Sequence, residues 1–161
     1  MKNVLRVDAS VLKNLSKAPL LLSMESGITI KQLNEELDQQ HLALVDMGAY
    51  DEQTLAGAIS TGTHGTGISL GPIASSVRSL MLMSDTGTIY RIEPSNGITD
   101  TAKFANAMPS MVLKQDDDDW FQSNVVAMGC IGLIHSYTLE LMPAYLLSEA
   151  RVLDTWEGTD D

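Results

Sequence analysis

The residues best suited to chemistry lie in one glycine-rich segment, Gly57-Ala58-Ile59-Ser60-Thr61-Gly62-Thr63-His64-Gly65-Thr66-Gly67. Six of the 12 glycines fall in the stretch from Met47 to Gly71 that contains it. Glycine has no Cβ, so its backbone can take positive φ angles and approach a ligand closely. Successive N–H groups in such a loop can hold phosphate without a cationic side chain. The segment therefore predicts a loop that binds a phosphorylated ligand, although a tight connection between two strands would have the same composition.

The spacing of the glycines excludes two common phosphate-binding loops. The order around Gly62, Gly65 and Gly67 is G-x-x-G-x-G, the reverse of the dinucleotide fingerprint G-x-G-x-x-G. A Walker A loop needs a lysine before its Ser or Thr, and no lysine lies between Lys31 and Lys103. The single histidine of the segment has no Asp, Glu or Cys close to it in sequence. Neither a catalytic triad nor a metal site is therefore predicted here.

Composition and charge exclude several classes of protein. The chain has 161 residues, 10 of them Lys or Arg and 21 Asp or Glu, and its formal net charge is -11. Nucleic acid is not expected as a partner, because its binding needs a cationic face. The single cysteine, Cys130, excludes an internal disulfide and a cysteine-based zinc site, and we expect its side chain to be buried. Apolar runs such as Pro19 to Leu22 are far too short for a bilayer span, and the N-terminus lacks the apolar region of a signal peptide, which favours a cytoplasmic location.

The elements that must position the segment follow from hydrophobic periodicity and capping signals. Short strands are predicted in three places: Val4 to Asp8, Leu20 to Met24 and Leu42 to Val45. Thr29 and Gln32 form a capping box for a helix that runs to about Gln40. This helix is expected to pack on a sheet through three apolar residues that share one face: Ile30, Leu33 and Leu37.

The second half of the chain predicts a hairpin and a further long strand. Strands at Val77 to Ser84 and Thr88 to Glu93 flank the turn signal Asp85-Thr86-Gly87, and Ile134 to Leu141 alternates well. Two helices are predicted between these strands: Thr99 to Met111 and Ser123 to Met128. The acidic run Asp116 to Asp119 is interpreted as a solvated loop or a helix N-terminus. The fold is therefore predicted to be α+β, with a mainly antiparallel sheet flanked by helices.

Two stretches of the sequence resemble a known family. They are Leu44-Val45-Asp46-Met47-Gly48-Ala49-Tyr50-Asp51-Glu52-Gln53-Thr54-Leu55-Ala56 continued through the glycine-rich segment, and Val125-Val126-Ala127-Met128-Gly129-Cys130-Ile131-Gly132-Leu133-Ile134. Both resemble the FAD-binding domain of the vanillyl-alcohol oxidase, or PCMH-type, flavoprotein family. Within that family the chain is most similar to the sugar-lactone and alditol oxidases. The resemblance implies FAD as the cofactor and the second subdomain of the FAD-binding domain as the fold.

The resemblance assigns roles in FAD binding residue by residue. One group matches the segment that lines the isoalloxazine ring and the ribityl chain: Gly48, Thr54 and Gly57. A second group matches the loop that wraps the ribityl chain and the pyrophosphate: Thr61, Gly62, His64, Gly65 and Gly67. A third matches the stretch that approaches the adenosine half: Gly132 and Ile134. The candidates also include Thr63, inside the loop, and Ala58, at a place where some alditol oxidases have a serine near the flavin.

The resemblance also implies an activity for an intact parent protein. That protein would oxidise a sugar lactone or a polyol, pass a hydride to flavin N5, and reoxidise the flavin with O₂ or another acceptor. Two alternatives stay open: a non-catalytic flavin- or nucleotide-binding fragment, and an amino-sugar reductase of the same superfamily. No catalytic residue and no metal ligand is assigned in this chain.

The family pattern also sets an expectation about domains. In the family, a lobe with a Gly-His-Ser loop precedes the matched region and a substrate lobe follows it. Residues 1–145 are therefore expected to be a partial FAD-binding domain, and residues 146–161 the start of a connection to the substrate lobe. We expect the chain alone to bind FAD weakly or not at all and to be inactive. The strand at Val4 would then form an exposed sheet edge that can pair with a second copy.

Overall fold

Eight strands and four α-helices form the part of the chain that the structure, a computed structural model, describes: residues 3–151 and 153. The strands are β1 (Val4–Arg6), β2 (Leu21–Glu25), β3 (Leu42–Ala43), β4 (Val77–Met83), β5 (Ile89–Ile92), β6 (Val112–Lys114), β7 (Leu133–Glu140) and β8 (Met142–Pro143). The helices are α1 (Ile30–Gln39), α2 (Leu55–Ser60), α3 (Thr101–Ala107) and α4 (Asp118–Val125). Short 3-10 turns cover Ala9–Val11, Leu15–Leu20 and Ile73–Ser76. No described helix is long and apolar enough to cross a membrane.

Six of the strands form one sheet in the order β1-β2-β7-β4-β5-β6, and β3 pairs with β8 in a separate two-stranded ribbon. Neighbours in the six-stranded sheet are antiparallel except β5 and β6, which run parallel. The prediction of a mainly antiparallel α+β fold is therefore confirmed. The sequence pattern does not predict β6, because its three residues are too few to show a strand period.

One face of the sheet carries the hydrophobic core. The register places Met24, Tyr137, Leu80 and Ile92 in one row across four neighbouring strands. Each of these residues is at most 1% exposed, and α1, α2 and α4 add side chains to the same core. Full burial of one such apolar side chain stabilises a fold by about 1.5–3 kcal/mol. Helices α1, α2 and α4 are thus fixed to the sheet.

Helix α1 begins as the sequence predicts. The hydroxyl of Thr29 accepts the N–H of Gln32 at 3.2 Å, and the side-chain oxygen of Gln32 accepts the N–H of Thr29 at 3.3 Å. Ile30, Leu33 and Leu37 are each at most 1% exposed. Both the capping box and the buried face of this helix are therefore confirmed.

Helix α4 begins earlier than the sequence predicts. Its first residue is Asp118 rather than Ser123, because the Asp117 side chain caps the helix by accepting the N–H of Trp120 at 2.9 Å. The acidic run is therefore a helix N-terminus, one of the two interpretations left open. Carboxylates are favourable there because they face the positive end of the helix dipole.

The lone cysteine is exposed, so the prediction that it is buried is wrong. Cys130 follows two residues in the left-handed region, Met128 with φ 51° and Gly129 with φ 78°. This tight turn continues to Gly132, and the whole stretch from Met128 to Cys130 lies on the surface. The apolar residues around Cys130 predicted that its side chain is buried, but the tight turn places it on the surface.

Candidate cofactor site

The first part of the glycine-rich segment is helical, so the interpretation of Gly57 to Gly67 as one loop is wrong for its first four residues. Helix α2 starts after Thr54, whose hydroxyl accepts the N–H of Gly57 at 3.2 Å. A glycine inside a helix costs about 1 kcal/mol relative to alanine. Burial of Leu55, Ala58 and Ile59, which are fully inaccessible, offsets that cost. Ala58 therefore faces the core, which explains a small apolar residue at this place.

The N-terminus of α2 makes its hydrogen bonds within the protein. A helix N-terminus with free N–H groups is a ready anion site. Here the N–H of Leu55 donates to the carbonyl of Ile28 at 2.7 Å, and the N–H of Ala56 donates to the carbonyl of Ser26 at 3.1 Å. With Gly57 bonded to the capping hydroxyl, the first three N–H groups of α2 are occupied. This end of the helix offers no donors to a phosphate.

The N–H groups at the start of α1 are hydrogen-bonded in a corresponding way, to the segment that precedes α2. The N–H of Ile30 donates to the carbonyl of Gln53 at 2.9 Å, and the N–H of Lys31 donates to the carbonyl of Asp51 at 2.8 Å. Carbonyl groups of the segment before α2 thus accept hydrogen bonds from the start of α1. Carbonyl groups of the segment before α1 likewise accept hydrogen bonds from the start of α2. The two helix starts fix one another, and this reciprocal contact sets where the glycine-rich segment begins.

The end of α2 is a Schellman motif centred on Gly62. The N–H of Gly62 donates to the carbonyl of Ile59 at 3.1 Å, and the N–H of Thr63 donates to the carbonyl of Ala58 at 2.9 Å. Gly62 has φ +69°, the left-handed conformation that this motif requires, and a Cβ added there would meet nothing within 4 Å. The glycine is needed for its backbone angle. The N–H groups of Gly62 and Thr63 are both used in hydrogen bonds to carbonyls of the helix.

A carboxylate that the sequence analysis does not single out holds the next part of the loop. Asp46 Oδ2 accepts the N–H of Gly65 at 3.1 Å, and Asp46 Oδ1 accepts the N–H of Met47 at 3.0 Å. Close by, a Cβ added to Gly48 would lie 3.2 Å from the Thr63 methyl carbon. The residues around Gly48 and the glycine loop are therefore packed together, as the resemblance implies. The only sequence signal for Asp46 is its position two residues before Gly48.

His64 is exposed and bonds to its neighbour in the chain. Its Nδ1 lies 2.7 Å from the Gly65 carbonyl oxygen. A carbonyl oxygen only accepts hydrogen bonds, so Nδ1–H is the donor in this contact. The described residues contain no cluster of three or more His, Cys, Asp or Glu side chains that could hold a metal ion. The geometry gives His64 a role in holding the loop.

Three backbone donors of the loop make no hydrogen bond within the part of the chain that the structure describes. Within Thr61–Gly67, the N–H groups without a hydrogen bond to another described residue are those of His64, Thr66 and Gly67. Thr66 is exposed and Gly67 is half-buried. These donors, rather than those of Gly62, are the ones that the loop can offer to an anion.

The second stretch that resembles the family, residues 125–134, contacts the end of α2 through Met128. The N–H of Met128 donates to the carbonyl of Ser60 at 3.2 Å. Gly132 has φ +140°, and a Cβ there would come within 2.7 Å of the Met83 carbonyl oxygen. Ile134 pairs with Leu82 in the sheet. Gly132 therefore lets β7 approach β4 closely, beside a cleft of about 510 Å³ at the hairpin end of the sheet.

A buried tyrosine lies beneath the end of α2. The Tyr137 side chain is inaccessible, and its hydroxyl makes no hydrogen bond of good geometry with another described residue. Burial raises the pKa of Tyr137, and the nearby Ser60 side chain offsets part of that rise. The phenol therefore stays protonated at neutral pH and contributes packing rather than charge.

The sequence of the chain is similar to those of known proteins. A profile of the FAD binding domain family matches residues 3–93. The chain is 34% identical over 155 residues to L-gulonolactone oxidase of Mus musculus, covering 96% of this chain and 29% of that protein. It is 29% identical over 136 residues to D-arabinono-1,4-lactone oxidase of Yarrowia lipolytica, covering 84% of this chain and 22% of that protein.

Solved structures share the fold at low identity. A cholesterol oxidase from Brevibacterium sterolicum superposes with a TM-score of 0.59 at 15% identity, over 88% of this chain and 24% of that one. An alkyldihydroxyacetonephosphate synthase superposes with a TM-score of 0.56 at 19% identity, over 89% of this chain and 22% of that one. The chain spans less than a third of the length of each of these proteins. Because the family profile covers more than half of its residues, the chain belongs to the FAD binding domain family, whose cofactor is FAD.

Proposed function

We propose that this chain supplies the diphosphate-binding part of the FAD site in an FAD-dependent oxidoreductase that acts on a sugar lactone or a polyol. The observation that carries the proposal is the set of free backbone donors at His64, Thr66 and Gly67, inside the matched range. When bound, FAD supplies the chemistry by accepting a hydride from a substrate C–H bond. The similarity to two lactone oxidases favours a sugar lactone over a polyol.

The charges of the loop fit a diphosphate bound through backbone groups. Residues Thr61 to Gly67 include no lysine or arginine, so the N–H groups must supply the attraction. A hydrogen bond to a charged group contributes about 1.5–3 kcal/mol. The nearest described carboxylate, Asp46, already accepts two N–H groups, which lowers its repulsion toward an anion.

The other predicted residues shape the loop in this proposal. Thr54 and Gly57 start α2, and Ala58 fixes it to the core. Gly62 ends the helix, and Gly48 leaves room for Thr63. Their effect on FAD is therefore indirect. The contact of Gly132 and Ile134 with the adenosine half stays a prediction, as do the cytoplasmic location and pairing through the β1 edge.

The proposal assigns no catalytic residue to this chain. The residues described here bind and orient the cofactor, and the acid–base group of the reaction belongs to another part of the parent protein. We therefore propose that the 161-residue chain binds FAD weakly and has no turnover of its own.

Flavin absorbance of the purified chain, followed by titration with FAD, tests this proposal. We expect colourless protein that binds added FAD with a dissociation constant above about 1 μM and shows no lactone-dependent bleaching. Yellow protein that a sugar lactone bleaches would show that the chain is catalytically complete. No binding of FAD at any concentration would contradict the cofactor role of the loop.

A further inference from the structure

Asp46 and Gly65 lie 19 positions apart in the sequence and meet directly in the fold. Each oxygen of the Asp46 carboxylate accepts one backbone N–H, from Gly65 at 3.1 Å and from Met47 at 3.0 Å. The side chain is half-buried, as is Gly65. A charged acceptor of this kind makes stronger hydrogen bonds than a neutral one. The carboxylate thus links the start of the matched segment to the middle of the glycine loop.

The pair is also complementary in shape. A Cβ added to Gly65 would collide with the Asp46 carboxylate and would lie 2.5 Å from the Met47 carbonyl oxygen. Gly65 does not have a left-handed φ, in contrast to Gly62. Space rather than backbone conformation therefore requires a glycine at position 65. Asp46 and Gly65 fit each other, and neither can change size without moving the loop.

Asparagine could not replace the carboxylate fully. Asp46 uses both oxygens as acceptors, whereas an asparagine amide has one acceptor oxygen and an NH₂ group that only donates. In Asp46→Asn, that NH₂ would face a backbone N–H, and one of the two bonds would be lost. The site therefore needs a carboxylate in particular.

The pair of hydrogen bonds from Gly65 and Met47 to the Asp46 carboxylate, called the Asp46 clamp below, also determines which backbone donors the loop presents to a ligand. Gly65 lies between His64 and Thr66, whose N–H groups are free. Because Gly65 is bonded to Asp46, the loop is held with its neighbours available to a ligand. We propose that Asp46 is the positioning residue of the cofactor loop, and that it sets the FAD affinity by fixing Gly65. This inference rests on the proposed function, since it needs FAD to bind through the free donors.

Nuclear magnetic resonance of the 161-residue chain tests the clamp without a ligand. In Asp46→Asn, we expect the amide that loses its acceptor, that of Gly65 or that of Met47, to exchange with solvent about tenfold faster than in the wild type, the effect of losing one charge-assisted bond. The Gly62 amide, bonded within the Schellman motif, should not change. Asp51→Asn is a matched control, because no described hydrogen bond involves the Asp51 side chain. Unchanged exchange at both the Gly65 and the Met47 amide in Asp46→Asn would overturn the proposal.

Titration of the same samples with FAD up to millimolar concentration tests the consequence. In the wild type and in Asp51→Asn, the His64 and Thr66 amide signals should shift on addition of FAD. In Asp46→Asn and in Gly65→Ala, the dissociation constant should rise about tenfold. Faster Gly65 exchange with an unchanged FAD affinity would overturn the positioning role alone. A wild type with no shifts at either amide would overturn the proposed function itself.

Discussion

The backbone N–H of Met128 donates to the carbonyl of Ser60 at 3.2 Å, and Met128 does so from a left-handed conformation with φ 51°. This hydrogen bond ties the last turn of α2 to the segment that leads into β7. The left-handed conformation costs an L-residue other than glycine roughly 1–2 kcal/mol. The contact between the two predicted cofactor segments is therefore made at the expense of local strain.

Replacing Met128 by glycine should relieve that strain. Its side chain is 75% exposed, so little packing is lost, and the backbone donor to Ser60 is kept. We expect Met128→Gly to raise the free energy of unfolding by about 0.5–1 kcal/mol, measured by urea denaturation. Val126→Gly is the control: its φ is -105°, so glycine brings no relief and should destabilise the chain. A loss of stability in Met128→Gly would show that the methionine side chain is needed.

Variants of Thr54 distinguish a role in capping α2 from a role in binding the cofactor. Its hydroxyl caps α2 by accepting the N–H of Gly57. We expect Thr54→Ala to lower the free energy of unfolding by about 1 kcal/mol in the absence of FAD, and Thr54→Ser to leave it unchanged. Chemical denaturation of the three proteins without flavin measures the difference. Equal stability of all three would mean that the hydroxyl acts only on the ligand.

Gly62 and His64 affect the loop through different bonds. Gly62→Val places a β-branched residue at φ +69°, which costs roughly 1–2 kcal/mol and distorts the end of α2. His64→Ala removes only the bond to the Gly65 carbonyl, about 1 kcal/mol or a fivefold change. We therefore expect Gly62→Val to weaken FAD binding more than His64→Ala does, as measured by flavin fluorescence. Wild-type affinity in Gly62→Val would show that the helix end does not shape the site.

Glu140 should make stability depend on pH. The hydrogen bond from Arg78 lowers the pKa of Glu140 below its ordinary value of 4.5, and Lys17 adds a smaller effect. The ion pair therefore stabilises the fold above that value, and the contribution is lost as the pH falls through the lowered pKa. We expect Glu140→Gln to cost less than about 1 kcal/mol near pH 7, because solvent screens a partly exposed pair.

Urea denaturation near pH 7 and near pH 3 checks this dependence. The difference between Glu140→Gln and the wild type should shrink at the lower pH. Glu36→Gln serves as the control, because Glu36 forms no described ion pair. A cost that is the same at both pH values would mean that Glu140 acts by packing and not by charge.

The contrast between α1 and α2 shows what local sequence can predict. Helix α1 has ten residues, a capping box and an apolar stripe, so each signal for it lies within the helix and its cap. Helix α2 has six residues and contains Gly57, which argues against a helix by propensity. Its stability comes from burial and from the carbonyls of Ser26 and Ile28, nearly thirty positions earlier. Only the tertiary structure supplies these partners.

The site was predicted at the level of segments and not at the level of atoms. Glycine enrichment and the family resemblance selected a stretch of chain as the candidate site. They could not distinguish Gly62, which is needed for its φ, from Gly65, which is needed for space. They also gave no reason to select Asp46, because its partner becomes close only when the chain folds. Such distinctions depend on three-dimensional contacts that spacing does not encode.

The reciprocal bonding of the α1 and α2 starts limits how this segment could be reused in protein engineering. A glycine-rich stretch grafted alone into another scaffold would arrive without the carbonyls of Ser26 and Ile28, and its first helical turn would have unpaired donors. The smallest transferable unit therefore includes both helix starts, from Ser26 to Gly67. A transplant of that length would carry its own capping partners and the Asp46 clamp into the new host.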